Sequence, residues 1–141
     1  MTTEVVLPRG TETWDEVQAE LTAGLATLVV HGAASVVASM PQSGQRIEAH
    51  VLPSGQIRLA AAGNDTLTGG DRLTVRDERA VIAVGFSASS ANWGNFYWDW
   101  TPPVDPAAVA SGIVRTMRDI YKAEPADVEV AAVLAASEQA A

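Results

Sequence analysis

NWGNFYWDWT, residues Asn92–Thr101, is the most aromatic stretch of the chain and holds three of its four tryptophans. Its rings Phe96, Trp98 and Trp100 alternate with other residues, and Tyr97 falls on the opposite side of that alternation. A period of two with aromatic enrichment predicts a β-strand with one buried face. Because each ring carries a large apolar area, we expect this strand to be a main part of the core, packed against the last long helix.

The composition predicts one globular domain. The chain has 141 residues, of which 48% are hydrophobic and 18% charged, enough for a single core and too few for two ordinary domains. Its net charge of −8 disfavours nucleic acid and anionic membranes as partners and fits a partner of basic character. It has no cysteine and no apolar run of signal-peptide or membrane-span length. We therefore expect a cytoplasmic protein without disulfides.

The segment upstream of the aromatic stretch begins with a predicted helix. Thr13 and Glu16 fit a capping box, in which each side chain satisfies a free backbone N–H of the first turn. Trp14 and the apolar residues after it recur at helical spacing and predict a helix from about 14 to about 30. The end of this helix stays open, because Leu28–Val30 could also begin a strand.

Three short segments with strand composition follow the helix and are joined by polar turns: Ala34–Met40, Gln45–Leu52 and Gln56–Ala61. They predict an antiparallel meander. In the second and third segments apolar residues alternate with polar ones, so one face should be buried and the other exposed. The polar side chains of this outer face are Arg46, Glu48, His50 and Arg58.

Two more helices are predicted in the second half of the chain. Residues 75–84 fit a short helix, although a strand through Arg79–Val84 stays open, because Val81–Val84 has the composition of a strand. Asp105 followed by Pro106 predicts the start of a last helix over about 105–122. Basic residues gather near the end of this helix: Arg115, Arg118 and Lys122. These residues could pair with the acidic residues at the start of the first helix in a second copy of the chain. The alternative that we favour is that they are solvated and interact favourably with the negative end of the helix dipole.

The predicted elements form one domain, and no linker divides them. We expect a flexible leader over residues 1–12, a single domain over 13–130 and an Ala-rich, frayed tail over 131–141. Whether residues 126–141 form a helix, a strand or a disordered tail stays open. The predicted fold class is α+β, an antiparallel sheet of about four to five strands with helices packed mainly on one face.

The sequence carries no motif for catalysis or metal binding. His31 and His50 lie on different predicted elements, without His, Asp or Glu at ligand spacing. The glycines of Gly63–Gly70 lack the Lys and Ser/Thr of a phosphate-binding loop, and Ser87–Ser90 lacks the flanking glycines of a nucleophile elbow. We therefore expect no enzymatic activity, no cofactor and no bound metal.

The order of the elements and several short motifs resemble those of one protein family. The motifs, in chain order, are Thr13-Trp14-Asp15-Glu16-Val17, Gly63-Asn64, Arg72-Leu73-Thr74, Val84-Gly85-Phe86, Asn92-Trp93, and Met117-Arg118-Asp119-Ile120-Tyr121 followed by Pro125. With these the chain resembles the type III secretion chaperones and YbjN-like proteins, and more closely the actinobacterial TY-Chap domains. It departs from them at Phe86 and Met117, where those domains carry Trp and Leu, and in a missing loop proline. The resemblance covers roughly residues 12–130 and favours a helix over a strand for residues 75–84.

The resemblance implies a non-enzymatic chaperone-like or adaptor protein that binds a protein partner. Type III chaperones are generally dimers that hold an unfolded client segment along their surface, so it also implies a homodimer. A client segment of this kind would add to a sheet edge or place apolar side chains in shallow grooves. The candidate partner-binding residues are Trp93, Tyr97, Arg46, Glu48, His50 and Arg58.

A second function, the binding of a small ligand, also stays open. Trp98 and Trp100 could line a pocket between the aromatic strand and the last helix. A closed cavity beside these two rings would favour a small ligand, whereas an exposed apolar patch would favour a protein client.

Overall fold

A computed structural model describes residues 2–6, 13–31, 34–40, 45–52, 54–62, 73–88 and 96–135 of the chain. The elements of this part are β1 Thr2–Val6, α1 Trp14–His31, β2 Ala34–Met40, β3 Gln45–Val51, β4 Ile57–Ala61, α2 Val75–Val84, β5 Ser87–Ala88, β6 Phe96–Trp100, α3 Pro106–Arg115 and β7 Glu129–Ala135. A π-helical turn, Thr116–Ile120, continues α3, and a 3₁₀ turn, Pro125–Asp127, precedes β7. The strands form one sheet in the order β1-β7-β2-β3-β4-β6-β5, and every pairing is antiparallel.

The predicted α+β class is confirmed, with the helices gathered on one face of the sheet. Helix α1 packs on β2, β3 and β7, and α3 packs beside α1. Alternation along the strands turns apolar side chains such as Val36, Ile47 and Leu59 toward these helices, where each is at most 1% exposed. The stripe of α1 that meets them, Val17, Leu21, Leu25 and Leu28, is buried to the same degree. We call this buried side the inner face of the sheet.

The aromatic strand β6 turns its large rings to the inner face. Phe96 is buried, and Trp98 and Trp100 pack against the core with ring centroids 4.6 Å apart. The ring of Phe86, just beyond α2, meets Trp98 edge-on at a centroid distance of 5.3 Å, an arrangement that aromatic quadrupoles favour. Gly112 brings α3 so close that a Cβ there would lie 3.0 Å from Cζ3 of Trp98.

Both ends of the chain contribute strands where the sequence suggested a leader and a tail. Residues 2–6 of the expected leader form β1, and β7 extends into the expected tail as far as Ala135. Strand β7 lies between β1 and β2, so this Ala-rich strand is stabilised by pairing with a neighbour on each side. The sheet therefore has seven strands in the described part of the chain, more than the four to five predicted.

The predicted boundaries of the helices agree closely with the structure. Residues 75–84 form the helix α2, with Thr74 and Asp77 in a reciprocal capping box. The last helix, predicted over 105–122, is α3 with Asp105 as its cap, followed by the π-helical turn. Leu28–Val30 continue α1 and do not begin a strand.

Tyr121 joins the end of the helical layer to the sheet. Its buried hydroxyl donates a 2.7 Å hydrogen bond to the carbonyl oxygen of Ala62, and burial raises the pKa of this phenol. We expect Tyr121→Phe to lower the free energy of unfolding by about 1 to 2 kcal/mol, because the carbonyl loses its donor in a dry site.

Tyr97→Phe is the matched control for that prediction, since Tyr97 is only half-buried. It should change the free energy of unfolding by less than about 0.5 kcal/mol, measured for both variants by denaturant titration. Equal losses in the two variants would contradict a structural role for the Tyr121 hydroxyl.

Candidate functional site on the outer face of the sheet

Five of the six candidate residues lie on the face of the sheet opposite the helices. Arg46, Glu48 and His50 of β3 alternate with the buried residues of that strand and therefore turn outward. His50 pairs in register with Arg58 of β4, and Tyr97 of β6 pairs with Ala60, the outward residue two positions beyond Arg58. The sixth candidate, Trp93, lies outside the described residues. We call this side of the sheet the outer face.

A chain of three side chains runs along β3. Nε of Arg46 lies 2.9 Å from one oxygen of Glu48, and Nε2 of His50 lies 3.1 Å from the other. The hydrogen bond with His50, together with the charge of Arg46, holds the pKa of the Glu48 carboxyl below its ordinary value in spite of its partial burial. Glu48 is therefore an anion held between two more exposed nitrogen groups.

A second charged pair joins β4 to β6. Nε and Nη2 of Arg58 donate to the two carboxylate oxygens of Asp99 at 2.8 and 2.9 Å, a bidentate geometry. The hydrogen bond from Arg58 lowers the pKa of the Asp99 carboxyl. The guanidinium carbon of Arg58 also lies 5.2 Å from the centroid of the Tyr97 ring, within cation–π range.

Asp99 was missed as a member of the site by sequence reasoning. The alternation of β6 places it with Tyr97 on the outer face, but its role depends on its register opposite Arg58. Arg58 and Asp99 are 41 residues apart in the chain and become neighbours only when β4 pairs with β6. The register of that pairing cannot be inferred from the sequence of either strand.

Small side chains lie on both sides of Glu48 in its row across the sheet. The register across the sheet aligns Ala131 of β7, Val37 of β2, Glu48, Ala60 and Tyr97 in one row on the outer face. Val37, Ala60 and Ala131 are each half-buried, and we call these three the small-residue strip. These side chains are short, and Glu48 stands among them in the row, between Val37 and Ala60.

The Glu48 site predicts a definite dependence of stability on pH. Because the folded-state pKa of Glu48 lies below its unfolded value, the stabilising effect of its charge is fully present above about pH 4.3. It is then lost as the pH falls through the folded-state pKa. The wild type should therefore be more stable than Glu48→Gln at pH 7. The difference between their free energies of unfolding, measured with denaturant at pH 7 and again at acidic pH, should be smaller in acid. A difference that stays constant with pH would contradict the assigned interactions.

The two indoles of β6 contact the helix that would form the other wall of a ligand pocket. A Cβ on Gly112 of α3 would lie 3.0 Å from Trp98 and 3.6 Å from Trp100, so helix and rings are in direct contact at that point. This packing is typical of a core and does not favour the small-ligand function.

Two features that other classes of function require do not occur in the described residues. No group of three or more His, Cys, Asp or Glu side chains in that part of the chain is arranged to hold a metal ion. None of the helices described is long and apolar enough to span a bilayer.

Comparison with known protein families gives a match over most of the chain. A family model, TY-Chap3, described as "T3SS (YopN, CesT) and YbjN peptide-binding chaperone 3", matches residues 8–134. No curated protein and no solved structure matches the chain.

Proposed function

The chain belongs to the TY-Chap3 family of peptide-binding chaperones, and from this we propose that it is a chaperone-like or adaptor protein that binds a client segment on its outer face. The family supports a binding role without catalysis, and we place that role in the cytoplasm. The client segment would lie along the small-residue strip, in contact with Tyr97 and the charged side chains beside it.

The observation that supports this choice of surface is the difference between the two faces of the sheet. The inner face is covered by α1 and α3, whereas the outer face carries the half-buried Val37, Ala60 and Tyr97. A half-buried apolar strip beside an aromatic ring is suited to the side chains of an extended partner. Polar groups around the strip would then set the register of the bound segment.

The proposal includes a homodimer, as in the type III chaperones that the family description names. The exposed side of α1 offers a surface for it: a shallow depression lined by short or polar side chains, Asp15, Gln18, Ala19, Thr22, Ala23 and Ala26. Short side chains let two helices approach closely. Sedimentation of the wild type and of Ala23→Glu tests the homodimer: the wild type should be dimeric and the variant monomeric.

Tyr97→Ala should weaken the capture of the native client about tenfold or more, because it removes a half-buried aromatic side chain that would anchor the client. Affinity-tagged protein is used to capture partners from the native host, and the partners are measured by quantitative mass spectrometry. Ile82→Ala is the matched control, since Ile82 is an exposed apolar residue of α2 on the helical side. Capture that is equally reduced by both substitutions, or by neither, would contradict a client site on the outer face.

A further inference from the structure

Helix α2 turns an apolar and cationic face to solvent. Val75 and Ile82, the exposed large apolar side chains of the described residues, are 64% and 48% exposed. They lie seven positions apart with Arg79 between them, a spacing that places all three on one side of a helix. Arg76 and Ala83 are exposed beside Arg79, and we call these five residues the α2 face. Exposed apolar side chains next to arginine are typical of an interaction surface.

The arginines of the α2 face have no carboxylate paired with them. Neither Arg76 nor Arg79 takes part in the ion pairs found among the described residues. Asp77 of the same helix is held in the capping box with Thr74, and Glu78 is half-buried beside the α2 face. A matching partner therefore brings exposed carboxylates, together with room for two aliphatic side chains.

The exposed side of α1 offers both properties. The depression on α1 begins at Asp15 and continues along Ala19 and Ala23, all three exposed, and Glu16 is exposed next to Asp15. Asp15 is in none of the ion pairs formed within the described part of the chain. At a helical rise of about 1.5 Å per residue, the α2 face is about 10 Å long and the depression about 16 Å. The α2 face is therefore short enough to lie within the depression.

Resting on the homodimer proposed above, we infer that the α2 face of one copy packs into the depression on α1 of a second copy. Val75 and Ile82 lie over the short side chains of the depression, and Arg76 and Arg79 pair with the acids at the start of α1. In a dimer with a twofold axis this contact forms twice, because each copy offers both surfaces. The contact lies on the helical side and leaves the outer face open to a client.

The alternative dimer, in which α1 packs on α1, is disfavoured by charge. Helix α1 carries Asp15, Glu16 and Glu20 and has no Lys or Arg. Two copies of this helix would bring acids together without a cation between them, and like charges across an interface are unfavourable. The α2 face supplies the cations that α1 lacks.

Charge reversal tests the pairing of α2 with α1. Arg79→Asp and Asp15→Arg should each weaken the dimer about tenfold or more in sedimentation, because each places like charges together in both contacts. An equimolar mixture of the two variants should dimerise again. In the mixed dimer one contact is native and the other has its charges exchanged, so both are complementary.

Arg115→Asp is the matched control for Arg79→Asp. Arg115 is also exposed and outside the ion pairs of the described residues, but it lies at the end of α3. The two substitutions change the net charge equally, so a difference between them reports the location of the arginine. Arg115→Asp should stay dimeric, and thermal unfolding of each variant confirms that it is folded.

Cysteine crosslinking locates the contact independently of charge, because the chain has no cysteine of its own. Ala19→Cys and Ala83→Cys are prepared as separate proteins, mixed and treated with a short bismaleimide. We expect a product of two chains from the mixture and little from either variant alone. Crosslinking of Ala19→Cys alone, and not of the mixture, would show that α1 packs on α1.

The inference is overturned if the mixed charge variants fail to dimerise, if Arg115→Asp weakens the dimer as much as Arg79→Asp does, or if the mixed cysteine variants give no joint product. A wild type that is dimeric and stays so in Arg79→Asp would contradict the inference and leave the homodimer in place, whereas a monomeric wild type would contradict both. The client-binding role is judged separately, by whether Tyr97→Ala reduces capture of the native client more than Ile82→Ala does.

Discussion

Gly85→Ala should destabilise the protein by about 3 kcal/mol or more, because two separate effects act against the added methyl group. Gly85 ends α2 with φ at +145°, a conformation that side chains with a Cβ rarely adopt. A Cβ at this position would also lie 2.5 Å from Cζ2 and 2.6 Å from Cε2 of Trp98. Since domains are stable by only about 5 to 15 kcal/mol, a loss of this size should be plain in denaturant unfolding.

Gly55→Ala is the natural comparison for this prediction. Gly55 also has a positive φ, +88°, but its Cβ would meet only Pro102 at 3.5 Å, an ordinary contact. This substitution should destabilise the protein by about 1 kcal/mol. In a Trp98→Leu background, Gly85→Ala should lose part of its effect, because the smaller side chain relieves the clash. Equal effects of Gly85→Ala and Gly55→Ala would show that the contact with Trp98 is not important.

Val36→Ala should destabilise the protein by about 2 to 3 kcal/mol, whereas Val37→Ala should cost about 1 kcal/mol or less. The two valines are neighbours on β2 and undergo the same chemical change. Val36 faces the helices and is 1% exposed, while Val37 is half-buried in the small-residue strip. The comparison therefore measures the difference between the two faces of the sheet, with unfolding by denaturant as the readout.

Two outcomes of this comparison would be informative about the outer face. Equal destabilisation by the two substitutions would mean that Val37 is covered as completely as Val36, which is incompatible with a client surface there. A small effect of Val37→Ala on stability, combined with reduced client capture, is the result expected of a binding residue.

The central part of the fold could be predicted from local sequence, because its signals are local. The capping box of Thr74 and Asp77 and the alternation of residues 45–61 each depend on neighbours a few positions away. The two outer strands could not be predicted in this way. Strand β1 pairs with β7 across almost the whole length of the chain, and short strands of ambiguous composition are stabilised by their partners more than by their own propensity.

The candidate site was predictable to a similar extent. Arg46, Glu48 and His50 share a face by the period of two, and the structure places them so. The bidentate pair between Arg58 and Asp99 requires the register of β4 with β6, and the exposure of each charged group depends on side-chain packing. Which charged side chains pair across the sheet is therefore a property of the fold and not of either strand alone.

Site-specific photo-crosslinking in the native host tests the client surface most directly. A benzoylphenylalanine is placed at Ala60, in the small-residue strip of the outer face, and in a second variant at Ile82, exposed on α2. We expect a protein adduct from position 60 that is absent from position 82 and is lost when Tyr97→Ala is added. Adducts from position 82 and none from position 60 would place the client on the helical side and contradict a client site on the outer face.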